Sequence, residues 1–273
     1  MANPMVGTVA VIGAGVIGGA IVKCLQESEE VGKVIATRRS LEALKALKEL
    51  GAEVTTDNKA AAKKADIIFL CVKPNDVATV LHGIEEEVEG KLVISTAAII
   101  PLEYYRDAVP VARYVRSMPN IAALAGESFT AYACDPKVTA EDRSTVKTLL
   151  DTMGTCTEVE EKYMDAITGL TGSGPAFVAI VIDALMFAGL KVGLPRELSL
   201  RGAAQSVLGT AKLVLDGTMK PTEIAEMVTT PGGTTIDGIY EIEDGKLRTA
   251  LMNAVEAATK KSANMRFKWE KSE

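Results

Sequence analysis

The sequence is poor in histidine, in aromatic residues and in closely spaced cysteines, and these shortages exclude several classes of site. His82 is the single histidine, so zinc and iron sites that need two histidines are excluded. Cys24, Cys71, Cys134 and Cys156 are widely spaced and form no Cys-x-x-Cys motif of a metal or redox site. We therefore expect no bound metal, and we interpret the cysteines as reduced and mostly buried thiols.

Long apolar runs and a basic charge balance are also missing. We find no run of about 18 apolar residues, so we expect no transmembrane helix, and the N-terminus lacks the pattern of a secretory signal. Thirty Lys and Arg against 36 Asp and Glu give a net charge of −6, which argues against a general nucleic-acid binder. With 48% apolar residues, the chain is predicted to be a globular, cytoplasmic protein without a nucleic-acid or membrane partner.

The first part of the chain alternates short apolar runs with amphipathic stretches. Strands are predicted at residues 8–12, 33–37, 65–72, 92–95, 112–116, 129–133 and 155–158, and helices at 16–26, 41–50 and 139–151. Runs that are apolar on both faces, separated by helices, predict a mostly parallel sheet that is covered on both sides. This is an α/β domain of Rossmann type, which we assign to residues 1–162.

After about residue 162 the pattern contains helices and no convincing strand. Long helices are predicted at residues 175–192, 195–215 and 246–265, and the connections between them are rich in glycine. We therefore assign residues 163–273 to an all-α C-terminal domain. The last eight residues, 266–273, are interpreted as a frayed helix end.

A glycine-rich turn follows the first predicted strand. Gly13, Gly15 and Gly18 form a G-x-G-x-x-G pattern that opens a helix within a βαβ unit. Gly13 permits the tight turn, Gly15 lets the backbone approach a pyrophosphate, and Gly18 allows close helix packing, while the amides of Val16 and Ile17 are expected to hold the pyrophosphate. The alternative is a glycine-rich turn without a ligand, but the complete context favours dinucleotide binding.

The end of the second strand predicts which dinucleotide binds. An NAD enzyme places Asp or Glu there to bind the ribose hydroxyl, whereas this chain has Thr37, Arg38 and Arg39. Arginine suits a 2′-phosphate, so NADP(H) is the preferred cofactor and NAD(H) the second candidate. The alternative is a helix capped by Ser40 with both arginines merely exposed.

Further cofactor contacts are expected where later strands end. Cys71, Val72 and Lys73 precede a proline that turns the chain, and small side chains around Ala97 leave room for the nicotinamide ribose. For Lys73, a solvated surface lysine is an equally good interpretation.

A second glycine-rich segment, VTTPGGTTIDGIYEIE at 228–243, lies among the predicted helices. A helix is expected to begin at Thr234 or Thr235, and such a helix start can bind a small carboxylate. Composition alone favours the alternative, a helix–helix turn capped by threonines.

Four motifs give the chain a family resemblance: GAGVIGGAI at 13–21, CVKP at 71–74, RSMPN at 116–120, and DAITGLTGSGPAF at 165–177 followed by the segment at 228–243. With these motifs the chain resembles the pyrroline-5-carboxylate reductases over nearly its whole length. The resemblance implies NAD(P)H-dependent reduction of 1-pyrroline-5-carboxylate to L-proline. It also implies a fold like that of 6-phosphogluconate dehydrogenase, in which the helical domain forms a homodimer that can assemble further.

The resemblance also assigns residues to roles. Thr235 corresponds to the family threonine that hydrogen-bonds the ring nitrogen, and it is our candidate catalytic residue. The positions that match carboxylate contacts are Thr230, Gly232, Gly233 and Thr234, and those that match NADP contacts are Asn58, Cys71, Lys73 and Ala97. The chain departs from the family pattern at Ile99, where a glycine is expected, at Ile121, where threonine is usual, and at the pair Thr229-Thr230.

Imine reduction consumes a proton besides the hydride, and the only histidine is a poor donor because it is predicted on the helix after Pro74. We expect a protonated iminium, with Thr235 in a mainly positional role.

Two alternatives stay open. One is a related imine or hydroxy-acid reductase, although Lys191 lies too late in its helix to be the catalytic lysine of hydroxy-acid enzymes; the other is a non-enzymatic NADP-sensing protein.

Overall fold

The computed structural model describes residues 6–266, and the chain divides into two compact units. The first unit contains residues 6–173 and 257–266, and the second contains residues 174–256. The predicted division between residues 162 and 163 stays a prediction. The end of the predicted frayed helix, residues 267–273, lies outside the described residues.

The first unit is built on one eight-stranded sheet with the strand order β3-β2-β1-β4-β5-β6-β7-β8. Neighbouring strands are parallel except for the antiparallel pair β6 and β7. The strands are β1 (Val6–Ile12), β2 (Val31–Thr37), β3 (Glu53–Thr55), β4 (Ile67–Leu70), β5 (Leu92–Ser95), β6 (Arg113–Met118), β7 (Ser128–Cys134) and β8 (Gly154–Glu158).

Both faces of this sheet are buried. Along β1, Val9 and Val11 belong to one hydrophobic core, while Ala10 and Ile12 belong to a second core on the opposite face. Successive side chains of a strand point to opposite faces, so a strand that is covered on both sides must be apolar at every position. The uninterrupted apolar runs in the sequence have this cause.

Seven short helices belong to the first unit. They are α1 (Val16–Glu27), α2 (Lys45–Glu49), α3 (Asn58–Lys64), α4 (Val77–Gly83), α5 (Leu102–Ala108), α6 (Ala140–Asp151) and α7 (Met164–Ile167). A π turn, Thr168–Gly172, follows α7. Helix α6 begins with a capping box in which Thr139 and Asp142 satisfy each other's backbone amides, as the sequence pattern T-x-x-D allows.

The second unit consists of helices. They are α8 (Gly174–Lys191), α9 (Arg196–Leu215), α10 (Pro221–Val228), α11 (Thr234–Asp244) and the first half of α12 (Leu247–Arg266), whose second half belongs to the first unit. Helices α8 and α9 approach closely at Gly189, where an added Cβ would lie 2.5 Å from the hydroxyl of Ser199. The predicted long helices are confirmed within a few residues at each end.

Strand β3 and helices α3, α5 and α7 were not predicted, because β3 has three residues and no apolar run and the three helices are short. Two predictions about the first unit are wrong. The helix predicted at 41–50 begins as a 3₁₀ turn, Glu42–Leu44. The cysteines are not mostly buried: Cys24 is buried, and Cys71, Cys134 and Cys156 are half-buried.

One helical segment bears on the expectation that the chain has no transmembrane helix, which stays a prediction. The helical segment Glu161–Lys191 is long and apolar enough, by length and composition alone, to cross a membrane. Scattered glycine, serine and threonine interrupt its apolar run without lowering its mean hydropathy much, so the sequence shows no uninterrupted run of about 18 apolar residues. Large apolar side chains on α8, among them Ile180 and Phe187, are exposed in the chain by itself.

Candidate cofactor and substrate sites

The glycine turn after β1 has little room for side chains at its first and third glycines. Gly13 has φ +91°, and an added Cβ would lie 2.7 Å from the Val72 side chain and 2.9 Å from the Cys71 backbone. An added Cβ at Gly18 would lie 2.5 Å from the Gly13 carbonyl oxygen. Only glycine fits these positions: the left-handed backbone and close packing exclude a side chain at Gly13, and close packing alone excludes one at Gly18.

Gly15 differs from its neighbours because it faces open space. The nearest atom to an added Cβ there is the Gly13 oxygen at 4.0 Å. Helix α1 begins at the next residue, without an acidic side chain in its first turn. The first amides of a helix have no intrahelical acceptor, so Val16 and Ile17 present donors beside this open position. The arrangement fits a pyrophosphate.

The end of β2 is tied to the glycine turn. The carbonyl of Thr37 accepts from the amides of Gly13, at 3.1 Å, and Ala14, at 2.8 Å. The buried Thr37 hydroxyl donates to the side-chain oxygen of Asn58 at 2.6 Å. The structure therefore brings Thr37 and Asn58 together beside the turn.

Arg38 and Arg39 are exposed directly after β2. Within residues 6–266 neither guanidinium makes an ion pair, so both are available to an anionic ligand. The Ser40 cap of the alternative is wrong, since the helical turn that follows has Leu41 at its N-cap and no side-chain cap, while the possibility that both arginines are merely exposed stays open.

The segment after β4 lies against the glycine turn. The amide of Cys71 donates to the Ile12 carbonyl at 2.8 Å, and burial raises the pKa of the Cys71 thiol to about 12. The thiol is therefore neutral and serves packing rather than nucleophilic chemistry. Val72 contacts Gly13 as described, whereas Lys73 is exposed.

The segment after β5 is held by buried hydroxyl groups. The amide of Ala97, which is 3% exposed, donates to the Ser95 hydroxyl at 3.2 Å. That hydroxyl lies 2.6 Å from the Tyr105 hydroxyl, and burial raises the pKa of Tyr105 well above its usual range. Ile99 then adopts φ +67°, a conformation that is rare for a β-branched residue. This is the position at which the family pattern has glycine.

In the second unit, the loop between α10 and α11 forms a tight turn. Gly232 has φ +70°, and the amide of Gly233 donates to the Thr230 carbonyl at 3.0 Å. Helix α11 begins at Thr234, as predicted, and Gly233 at its N-cap offers no side chain. The amides of Thr234 and Thr235 therefore lack intrahelical acceptors. Thr235 is half-buried, and no hydrogen bond to its hydroxyl occurs within the described residues.

A buried cation, Arg116, lies within β6, and no role was predicted for it. Arg116 is 2% exposed; it contacts Glu161 at 3.2 Å and lies 4.0 Å from a carboxylate oxygen of Asp165. Glu161 also accepts from the amide of Leu102 at 2.7 Å, and Asp165 accepts from the Ser262 hydroxyl at 2.8 Å. The motif RSMPN was the only signal that could have drawn attention to Arg116.

Comparison with known proteins decides the family. A family model described as pyrroline-5-carboxylate reductase dimerisation matches residues 161–265, and one described as coenzyme F420-dependent NADP oxidoreductase matches residues 8–99. The pyrroline-5-carboxylate reductase of Methanosarcina acetivorans is 40% identical over 261 residues, which are 93% of this chain and 96% of the relative. This chain belongs to the pyrroline-5-carboxylate reductase family.

Other members of the family agree with this assignment. The pyrroline-5-carboxylate reductase of Synechocystis is 36% identical over 93% of this chain and 97% of the relative. The crystal structure of Plasmodium falciparum pyrroline carboxylate reductase with NADP bound has a TM-score of 0.86 and 29% identity, and it covers 97% of this chain and 99% of that chain. The Coxiella burnetii reductase has a TM-score of 0.87 and 28% identity over 94% and 97% of the two chains.

These findings confirm the predicted family and the predicted fold, a Rossmann-type sheet domain followed by a helical dimerisation domain. They do not test the roles given to individual residues, which stay predictions. Within residues 6–266 no three metal-ligating side chains are grouped to hold a metal ion, and a metal-free reaction stays a prediction as well.

Proposed function

We propose that this chain is an NAD(P)H-dependent reductase that converts 1-pyrroline-5-carboxylate to L-proline in proline biosynthesis. One observation carries the proposal: this member of the family has both an open glycine turn, which can bind a dinucleotide, and a helix start capped by glycine, which can bind a carboxylate. A dinucleotide-sensing protein would need only the first of these.

The cofactor is proposed to bind along the carboxyl edge of the sheet in the first unit. Its pyrophosphate is assigned to Gly15 and the first amides of α1, and the 2′-phosphate of NADP(H) to Arg38 and Arg39. Thr37, Asn58, Val72, Lys73 and Ala97 complete the contacts. When bound, the dihydronicotinamide supplies the hydride. The absence of an acidic residue after β2 favours NADP(H) over NAD(H).

The imine substrate is assigned to the loop and helix start in the second unit. The amides of Thr234 and Thr235 are oriented to bind its carboxylate, with Thr230, Gly232 and Gly233 shaping the turn. The Thr235 hydroxyl holds the ring nitrogen and so orients the C=N bond. An alcohol is a weak acid near neutral pH, so its contribution is positional, and the proton comes from a substrate that binds as the iminium or from water. His82 is exposed on α4, where it lies 3.7 Å from Glu85, and it has no part in this scheme.

Assembly follows from the exposed apolar surface of α8 and the dimerisation model that matches residues 161–265. We propose a homodimer in which a second copy covers this surface, because exposed apolar residues at this density favour association. Assembly beyond a dimer and a cytoplasmic location are parts of the same proposal. Sedimentation of the purified chain without detergent tests it: a monomer, or aggregation that only detergent prevents, would contradict the homodimer.

The proposed reaction is tested by imine-dependent oxidation of NADPH, followed by the loss of the absorbance of the reduced cofactor. Thr235→Ala should lower kcat/KM about 10–1000-fold, the range for losing positioning or proton-transfer help. Thr235→Ser should keep most activity, because it keeps the hydroxyl, and Thr222→Ala, an exposed change on α10, serves as the matched control. Near-normal activity of Thr235→Ala would remove Thr235 from the mechanism, and an inactive wild-type chain would refute the function.

A further inference from the structure

Helix α8 has a proline, Pro175, as its second residue, at a position where a helix continuous with α7 would need a backbone donor. In an α-helix the amide of residue 175 would donate to the carbonyl of Thr171, but Pro175 has no N–H, and its ring crowds the carbonyl four residues earlier. The segment passes this point as a π turn, Thr168–Gly172, closed by a hydrogen bond of 3.0 Å from the Ser173 amide to the Thr168 carbonyl. The Thr171 carbonyl is therefore left without its ordinary helical partner.

Asn120 supplies the missing donor. Its side-chain Nδ2 donates to the Thr171 carbonyl at 3.0 Å, although 51 residues separate them. The side-chain oxygen of Asn120 accepts from the Ala122 amide at 2.9 Å. The backbone amide of Asn120 donates to the Ser128 hydroxyl at 3.0 Å. The side chain is 8% exposed. Its oxygen is already engaged, so the amide group can face Thr171 in one orientation only.

The π turn also packs directly on the sheet. An added Cβ at Gly172 would lie 2.7 Å from the terminal methyl of Met118, the last residue of β6. Strand β6 pairs in parallel with β5, where Arg116 is aligned with Ser95, and Ser95 holds Ala97 through its hydroxyl. The π turn therefore sits at the carboxyl edge of the sheet, beside the segment proposed to contact the nicotinamide end of the cofactor. Single π turns inside helices are frequent at functional sites.

We propose that Asn120 is a positioning residue for the reaction. Its side-chain amide donates to the Thr171 carbonyl, which Pro175 cannot do because it has no N–H, and this hydrogen bond fixes the π turn beside the segment after β5 that is proposed to contact the cofactor. This inference rests on the proposed function. Asn120 itself contacts neither substrate nor cofactor in this scheme; it acts through the Thr168–Gly172 backbone.

The test uses two substitutions with opposite effects on the same carbonyl. Asn120→Asp keeps the acceptor for the Ala122 amide but loses the donor to Thr171. Pro175→Ala restores a backbone N–H at residue 175, which can donate to Thr171 and makes the Asn120 donor redundant. We expect Asn120→Asp to lower kcat about 10–100-fold, the scale of a small misplacement of reacting groups, with an unchanged Kd for NADPH measured by fluorescence titration.

The double variant separates positioning from a general structural role. If the proposal holds, Asn120→Asp has little further effect on kcat in the Pro175→Ala background, since the carbonyl then has a helical donor. Two results would overturn it: unchanged kcat in Asn120→Asp, or the same fold-loss in both backgrounds.

Amide hydrogen exchange over residues 168–173 provides a readout that does not depend on catalysis. Asn120→Asp should accelerate exchange in this segment, and Pro175→Ala should suppress that acceleration. Equal exchange in the wild type and Asn120→Asp would refute the pairing even in an active enzyme. A wild type that does not oxidise NADPH with the imine would instead refute the proposed function, while the exchange experiment still decides whether the pairing fixes the turn.

Discussion

Arg38 and Arg39 are the residues through which the cofactor preference can be tested most directly. Arg39→Glu or Arg38→Glu should raise the KM for NADPH far more than the KM for NADH, because the new carboxylate repels the 2′-phosphate and can accept from a free ribose hydroxyl. Steady-state kinetics with both cofactors measures this. An equal change in the two KM values would contradict the assignment, and Arg201→Glu on α9 gives a charge-matched control in the second unit.

Ile99 holds a backbone conformation that its side chain disfavours. Replacing a buried isoleucine by glycine ordinarily destabilises a protein by about 4 kcal/mol, from the lost burial and the added freedom of the unfolded chain. At Ile99, relief of the left-handed conformation offsets about 1–3 kcal/mol of this loss. The adjacent Ile100 is also buried, at 0% exposure against 7% for Ile99, and has no positive φ. Ile99→Gly should therefore reduce the free energy of unfolding in urea by about 1–3 kcal/mol less than Ile100→Gly; equal losses would show that the conformation is not strained.

The glycine turn and the strand β3 show why some elements could be predicted from the sequence and others could not. The turn was predictable because each glycine answers a local need: a left-handed φ at Gly13, an open approach at Gly15, and close packing at Gly18. Strand β3 is specified by its neighbour β2 rather than by its own three residues, so no local pattern predicts it. The cap Asp57, whose side chain accepts from the Ala60 amide at 3.0 Å, was the one available signal for α3.

Strand β3 at the edge of the sheet is stabilised by charge rather than by apolar burial. Glu53 accepts from Lys33 at 2.5 Å and from Lys64 at 2.6 Å, and these hydrogen bonds lower its pKa from 4.5 to about 2. A carboxyl whose pKa is lower in the folded state stabilises the protein above its unfolded pKa and loses this effect as the pH falls through its folded pKa. Both lysines lie on other elements of the first unit, so Glu53 links β2, β3 and α3.

We expect Glu53→Gln to be less stable than the wild type at pH 7, by an amount that shrinks as the pH falls from about 4.5 to about 2. Urea unfolding at a series of pH values measures the difference. Glu49→Gln, a change at the end of α2 without a recorded ion pair among the described residues, is the control for removing one negative charge. A gap between the wild type and Glu53→Gln that stays constant down to pH 2 would contradict the role of the two lysines.

Taken as a whole, the first unit depends on the buried ion pairs of Arg116, which join segments far apart in the sequence. Glu161→Ala should lower the free energy of unfolding by about 3 kcal/mol, because it leaves a buried guanidinium with less compensation and the Leu102 amide without its acceptor. The neighbouring Glu160, in an exposed pair with Lys162 at 2.7 Å, gives the matched control, and Glu160→Ala should change stability by less than about 1 kcal/mol. Both are compared at one protein concentration, since assembly shifts apparent stability. Similar losses would contradict a special role for the buried network.

The residue roles of the substrate site could not be obtained from one sequence by physical argument alone. From composition alone the segment at 228–243 was better interpreted as a capped helix–helix turn, and only the family resemblance gave Thr235 a chemical role. Asn120 ends the quoted motif RSMPN, but its role was not predicted for another reason: its hydrogen bond to Thr171 joins positions 51 apart. Long-range pairings of this kind become visible only in the folded chain.

The return of α12 to the first unit has a consequence for synthesis on the ribosome. Residues 174–256 leave the ribosome before residues 257–266, whose Ser262 hydroxyl binds Asp165 in the first unit. The first unit therefore cannot be completed when its own sheet has emerged. It is complete only after residues 174–256 and then residues 257–266, the second half of α12, have been synthesised. A chain released early, at any point before residue 257, would carry a full-length sheet domain that still lacks a piece of itself.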